Sequence, residues 1–366
     1  MFAEYARNGV IGIVGGLAIF AIVFVPLLLR QIRRYGRVSA LRVLGAAAVS
    51  IYGVALAAYT LFPLPSDTTQ VCVAPLQLVP FHFVDDIIRE GAGQPFLAAI
   101  TSDAVVEYLF NIALFVPLGV IVRRYFSRGA GVATAAGFVV SLLIESTQYT
   151  GIWGIYSCAY RFADVDDLIA NTAGAVLGAF IAPRILSWMP GDSDLRPRRL
   201  TARPVTARRR WLGMLFDWAL FSLLGNVLFV LFVSVPRSLG ATVPEWVVAV
   251  VSTLLPGLLV FLLPALRRSG ASFGQRAVWL TVDWGDRGPA LGRRLARASV
   301  PLAWTVLLTL SSIDPRSLLA LCAVLAGMLA VAELIAVGVS RGRGLGTALA
   351  GAHFVDSREV SITGGS

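Results

Sequence analysis

Lysine is absent from this 366-residue chain: its 31 basic residues are all arginine, set against 21 acidic ones. That is a compositional mark of a GC-rich genome. Charge of either sign is scarce, at 14% of residues, where a soluble domain carries roughly 25%. With 57% hydrophobic residues and a mean hydropathy of +0.77, a single soluble core is excluded. Histidine is nearly missing. His82 and His353 stand far apart in sequence, which excludes a multi-histidine metal site within one chain. Phosphate-loop, dinucleotide, kinase and nucleophile-elbow motifs do not occur in suitable context, so free-standing ATP-driven transport is not expected. The net charge of +10 raises nucleic acid as a partner. The arginines, however, lie between apolar runs, where membrane topology accounts for them, and no nucleic-acid partner is expected.

What the chain has instead is long apolar runs from end to end. A bilayer core needs about 20 apolar residues per helix. Candidate spans lie at 9–29, 40–62, 104–122, 130–149, 166–188, 212–234, 246–266, 299–313 and 317–339. The first lacks a small-residue cleavage signature and reads as a retained helix. Its glycines, in GVIGIVGG, serve helix packing. The eighth is short. Arginines cluster after the first span (Arg30, Arg33, Arg34, Arg37), the third (Arg123, Arg124, Arg128), the fifth (Arg196 to Arg210), the seventh (Arg267, Arg268, Arg276, Arg293, Arg294, Arg297) and the ninth (Arg341, Arg343). The intervening loops carry only single arginines. The positive-inside rule then puts the N-terminus outside and the C-terminus in the cytoplasm. The expected fold is an all-α polytopic bundle of about nine transmembrane helices. Residues 1–189 form a five-helix membrane domain, 190–210 a basic, proline-containing cytoplasmic linker, and 211–366 a four-helix membrane domain.

This topology places Cys72 and Cys158 in extracytoplasmic loops, where disulfides persist, so a Cys72–Cys158 bridge is expected; two unpaired thiols are the alternative. Cys322 falls inside the ninth span as a small packing residue.

Ionisable groups in or near a bilayer usually have a task, and they gather at one end of the third to fifth spans. Asp164, Asp166 and Asp167 open the fifth, and Asp167, Asn171, Gly174 and Gly178 share one face at offsets of 4, 3 and 4. The glycines let a neighbouring helix come close. Glu145 and Gln148 share a face at the end of the fourth span. The third carries Glu107 and Asn111, and Arg161 precedes the acidic trio. Three readings fit. Glu145, Asp164 and Asp167 could bind a divalent cation, since hard cations prefer oxygen ligands. One carboxylate could act as general acid or base beside Arg161. Or the set could be structural, with Asp164 or Asp166 capping the fifth span and Glu145 paired with Arg161. Upstream, FHFVDDIIREG suggests a short interfacial helix over Phe83–Arg89. There His82 is either an interfacial, solvated histidine or an acid/base or metal ligand.

The run NIALFVPLG, then Glu145-x-x-Gln148, then Arg161-x-x-Asp164-x-Asp166-Asp167-x-x-x-Asn171-x-x-Gly174 resembles the VanZ-like family over roughly residues 9–188. LQLVPF resembles that family's N-L-x-P-F element, with Gln77 where asparagine is usual. The resemblance implies a multi-pass envelope protein of the bacterial plasma membrane. Its founding member is linked to low-level resistance to teicoplanin, a lipid-bearing glycopeptide acting at the outer leaflet. It supplies no settled reaction and no cofactor.

In the second half, Arg208-Arg-Arg210 followed by Asp217, and Gly270-x-x-x-Gly274-Gln275-Arg276, resemble the RDD family over roughly residues 204–356. Leu349 to Val355 resembles its closing element, while Thr347 stands where a second aspartate would be. That resemblance implies a transport or accessory role, with ion exchange in some members.

The expectation that follows is binding or processing of an amphiphile, a membrane lipid or lipid-linked envelope molecule, at the outer leaflet. Glu145 and Asp167 would form the acidic pair with Asp164 beside them. Arg161 would meet an anionic head group, and Gln148, Asn171 and Asn111 would line the pocket. Arg210, Asp217, Gln275 and Arg276 mark a second polar group. The alternatives are a secondary transporter or ion exchanger built on Asp217, and a scaffold for cell-wall enzymes.

Overall fold

A computed structural model describes residues 2–62, 64, 76–95, 98–99, 101–156, 159, 161, 163–313, 318–340 and 342–359. Among them, nine helices are long and apolar enough to cross a membrane: Ala6–Tyr35, Ala40–Leu61, Asp103–Tyr125, Ala130–Tyr149, Val165–Ile185, Ala207–Ser238, Glu245–Ala265, Leu291–Ile313 and Leu321–Val339. They are numbered here as the first to ninth spans. Sheet among the described residues is confined to two pairs of short strands. The protein is an all-α polytopic bundle and a multi-pass membrane protein.

The boundaries that move most from the hydropathy reading do so for one reason. The first span runs on to Tyr35 past Arg30, Arg33 and Arg34, the sixth begins at Ala207, ahead of Arg208, Arg209 and Arg210, and the eighth begins at Leu291, ahead of Arg293, Arg294 and Arg297. Arginine is a good helix former, and its long stem lets the head reach water while the helix continues. In the sixth and seventh spans, Val230–Ser234, Val250–Leu254 and Leu258–Leu262 are wound as π-helix. Each ends two residues before a proline, Pro236, Pro256 or Pro264. Proline lacks an N–H and crowds the carbonyl four residues back, and a wider turn relieves both.

The chain forms two compact units, one of Met1–Phe24 with Ser39–Arg196, the other of Val25–Val38 with Pro197–Ser366. In the first unit, glycines set the packing. A Cβ on Gly174 would lie 2.1 Å from the Ile112 carbonyl oxygen and one on Gly178 2.0 Å from that of Val116. The third and fifth spans therefore meet backbone to backbone. Gly16 does the same for the first two spans, where a Cβ would fall 2.3 Å from Ile51 Cα. At one end of this unit Arg42 Nη2 donates to the Tyr125 carbonyl at 2.8 Å, and Arg124 Nε to that of Leu186 at 2.8 Å. The carboxylates lie at the other end.

In the second unit, Leu280–Asp283 pairs antiparallel with His353–Asp356. Asp356 at its edge is fully buried and holds Arg209 and Arg358 by ion pairs of 2.8 and 2.5 Å. The 190–210 stretch, expected as a linker, carries a short helix at Asp192–Leu195 and a 3-10 turn at Arg196–Arg199.

Candidate functional site

The fifth span starts where its sequence says it should. Asp164 has extended backbone and its Oδ1 accepts the Asp166 N–H at 2.8 Å, the capping arrangement of an acidic N-cap. Ala163–Asp164 also pairs, parallel, with Leu76–Gln77, which brings the upstream loop to this helix end. Gln77 closes its own turn there: its Oε1 accepts the Val79 N–H at 2.9 Å and its Nε2 donates to the Val79 carbonyl at 2.8 Å. Asp166 is buried and faces the loop. Its two oxygens accept the Phe81 N–H at 2.6 Å and the Phe83 N–H at 2.9 Å. That clamp fixes the start of the helix His82–Gly91, none of whose residues is buried. It also holds Phe81 in left-handed backbone at φ +66°, a conformation that persists only when its surroundings impose it. The Phe83 ring stacks on Tyr108 at 3.9 Å between centroids.

Asp167 turns toward the third span, where Asn111 Nδ2 donates to its Oδ1 at 2.5 Å. Glu145, 7% exposed, reaches across from the fourth span, and its Oε2 accepts the Asp164 N–H at 3.2 Å. Gln148 Nε2 and Arg161 Nη1 both donate to the Thr60 carbonyl, at 2.6 and 3.1 Å. Glu145 interacts electrostatically with Asp167, Asp164 and Arg161, and Asp167 with Glu107. Burial pushes the Asp164 carboxyl above the usual aspartate range. The Asp166 N–H opposes this, Asp166 and Asp86 reinforce it, and His82 works against it. His82 itself pairs with Asp86 at 3.2 Å on a partly exposed surface.

Glu145, Asp164, Asp167, Asn111, Gln148 and Arg161 are thus drawn from four segments to one end of one unit. Asn171 is not part of that group. It sits a turn deeper against the fourth span, donating from Nδ2 to Ser141 Oγ at 2.9 Å while its buried Oδ1 has no partner among the described residues. Two of the readings left open find no support in the geometry. Glu145, Asp164 and Asp167 do not converge as a cation cage: among the described residues no three His, Cys, Asp or Glu side chains gather closely enough to hold a metal ion. Arg161 does not form an ion pair with Glu145, because its guanidinium is aimed at the carbonyl of Thr60. Cys72 and Cys158 lie outside the described residues, and Cys322 is a free thiol.

Residues 49–187 match the family model VanZ/LLP1. This segment is a VanZ-like domain. It contains every residue of the carboxylate cluster just described, the third, fourth and fifth spans, and the second span from residue 49 onward. No curated protein and no solved structure matches the chain.

In the second unit Asp217 is buried, with both oxygens occupied. Ser272 Oγ donates to Oδ2 at 2.5 Å and the Gly274 N–H to Oδ1 at 2.7 Å. Asp217 therefore fastens the loop that starts the helix Phe273–Ala277. Gly274 is needed for that approach, since a Cβ there would lie 2.0 Å from the Gly213 carbonyl oxygen. Gly270 has φ +57° and lies against the Trp284 ring. Gln275 completes a capping box, its Oε1 accepting the Ser272 N–H at 2.9 Å. Arg210, Asp217 and Gln275 line one cavity of about 410 Å³. Arg276 stands apart with its guanidinium over the Phe273 ring at 4.8 Å. Burial lowers its pKa, and the nearby Arg267 adds to this.

Several partners carry no mark in the sequence: Thr60, Ser141 and Ser272, and Arg297, whose Nη2 donates to Gln275 Oε1. The first three are small hydroxyl residues within or beside apolar runs and carry no signal of their own. Arg297 was counted among loop arginines because the eighth span begins earlier than its apolar run.

Proposed function

We propose that the VanZ-like domain binds or processes an amphiphile of the cell envelope at the outer leaflet, through Glu145, Asp167, Asp164 and Arg161. The supporting observation is a buried carboxylate, Glu145, that bonds the Asp164 N–H within electrostatic range of Asp167, Asp164 and the exposed Arg161 at a single helix end. Burying a carboxylate is costly without compensation, and one backbone N–H is slight compensation. A group that stability alone does not explain is a candidate for chemistry. Arg161 has donors left after Thr60, since a guanidinium carries five, and phosphate or carboxylate suits its fork. Gln148 and Asn111 position the cluster by holding Thr60 and Asp167. The arginines of Arg42, Arg123, Arg124 and Arg128 occupy the opposite end, which by the positive-inside rule makes the acidic end extracytoplasmic.

In this reading the chain contributes to tolerance of lipid-bearing glycopeptides such as teicoplanin. The second unit is an RDD-like accessory domain, a reading supported by the way Asp217 holds the glycine loop. The test is drug susceptibility of cells expressing the protein, with variants at matched membrane levels. Glu145→Gln and Asp167→Asn are expected to abolish the protein's effect, and full activity of both variants would refute the proposal. An ion exchanger working through Asp217 is less well supported, because both carboxylate oxygens are committed to the loop.

A further inference from the structure

The cavity of the second unit contains two arginines that the protein itself does not satisfy. Arg210 is 2% exposed and Arg297 8%. Both line the cavity. Arg210 Nε donates to the Gly342 carbonyl at 3.0 Å, and Arg297 Nη2 donates to Gln275 Oε1. Arg210 Nη1 and Arg297 Nε are buried and have no hydrogen-bond partner among the described residues. The two guanidinium groups approach the same ring, with their central carbons 3.8 and 5.6 Å from the centroid of Phe354. Two cations are therefore held close together away from water.

The acids in the cavity, Asp217 and Glu333, attract both guanidinium groups electrostatically but hydrogen-bond neither. Asp217 is committed to Ser272 and Gly274, and Glu333 Oε2 accepts the Leu345 N–H at 2.7 Å. Among the described residues neither arginine comes within ion-pair distance of them. Buried guanidinium N–H groups without an acceptor are costly, and what they lack is a ligand with several oxygen acceptors, which a phosphate supplies. Apart from Ser272, Gln275 and Thr347, the rest of the cavity wall is apolar and aromatic. Trp218, Phe261, Trp304 and Leu329 line it, and Trp218 is itself 55% exposed on a membrane span. An exposed indole in the wall puts part of the cavity's lining on the outer surface of a membrane span, where lipid is the neighbour.

We infer that this cavity binds an anionic amphiphile, its phosphate head group seated between Arg210 and Arg297 and the start of its apolar chain against Trp218 and Trp304. This site is independent of the carboxylate cluster in the VanZ-like domain.

The test uses the full-length protein, offered equal phosphatidylglycerol and phosphatidylcholine in mixed micelles, with retained lipid counted by native mass spectrometry. Wild type is expected to retain phosphatidylglycerol preferentially. Arg297→Met is expected to lower that retention about tenfold, the scale of one lost charge-assisted contact. Ala330→Trp, which fills the cavity and leaves both arginines, is expected to do the same, and it serves if Arg297→Met does not fold. Equal retention of the two lipids, or retention of phosphatidylglycerol unchanged in a folded variant, overturns the inference. A third arm adds inorganic phosphate alone and follows the thermal midpoint. Stabilisation by phosphate that phosphatidylglycerol does not match would assign the site to a free anion and overturn the amphiphile.

Discussion

At the scale of single residues, three adjacent acidic side chains have three different environments. Asp164 closes its own helix end, Asp166 clamps the Phe81–Phe83 backbone, and Asp167 receives Asn111. Asp166 thus works as a structural anchor. Removing it leaves two N–H groups without acceptors, each worth about 1–3 kcal/mol if buried. Asp166→Ala is therefore expected to raise hydrogen exchange at Phe81 and Phe83 while the spans keep their protection. Unchanged exchange there would show that the clamp is not needed. Asp356 is the counterpart in the second unit. Burial works against its ionisation, but the bonds from Arg358 and Arg203 and the charge of Arg209 outweigh that and bring its pKa down to about 2. The folded-state value lies below the ordinary one near 4. Its stabilisation is therefore complete above pH ~4 and disappears as pH falls toward ~2. Asp356→Asn strands two arginines, and the expected cost is roughly 3–5 kcal/mol. The variant's thermal midpoint should fall well below wild type at pH 7, with the gap narrowing as pH is lowered to 3.

Helices and their contacts were the most legible scale in the sequence. Apolar length gave the spans because a bilayer demands satisfied backbone over a fixed thickness. The offsets of Asp167, Asn171, Gly174 and Gly178 gave the packing face because a helix repeats with fixed geometry. Spacing could not say which neighbour each residue on that face would meet. Gly174 and Asp167 meet the third span, whereas Asn171 meets Ser141 on the fourth. Nor could it reveal Thr60, whose contribution is a main-chain carbonyl that any residue would supply. The π-helical turns were equally hidden, although the prolines that accompany them were in view. The glycine contacts give a sharp test. Gly174→Leu drives a side chain into the Ile112 carbonyl and is expected to abolish folded protein in detergent extracts. Gly53→Ala, on the second span where a Cβ meets nothing within 4 Å, is expected to leave yield and melting unchanged. Equal yields of the two variants would mean that the third and fifth spans do not pack backbone to backbone.

For the whole molecule, sequence and structure meet on a multi-pass bundle carrying a VanZ-like domain at 49–187. The proposed function needs one thing more, that the acidic end of this domain faces outward. Arginines at the opposite end argue for it, since their placement is biased to the cytoplasmic side. Asp85 on the exposed face of His82–Gly91 and Arg128 after the third span report the two ends, and both side chains are accessible. With Cys72, Cys158 and Cys322 replaced by alanine, Asp85→Cys and Arg128→Cys can be treated in intact cells with a membrane-impermeant maleimide. Asp85→Cys is expected to be labelled in intact cells and Arg128→Cys only after permeabilisation. Labelling of Arg128→Cys in intact cells, with Asp85→Cys protected, would turn the acidic end inward and remove the proposed function.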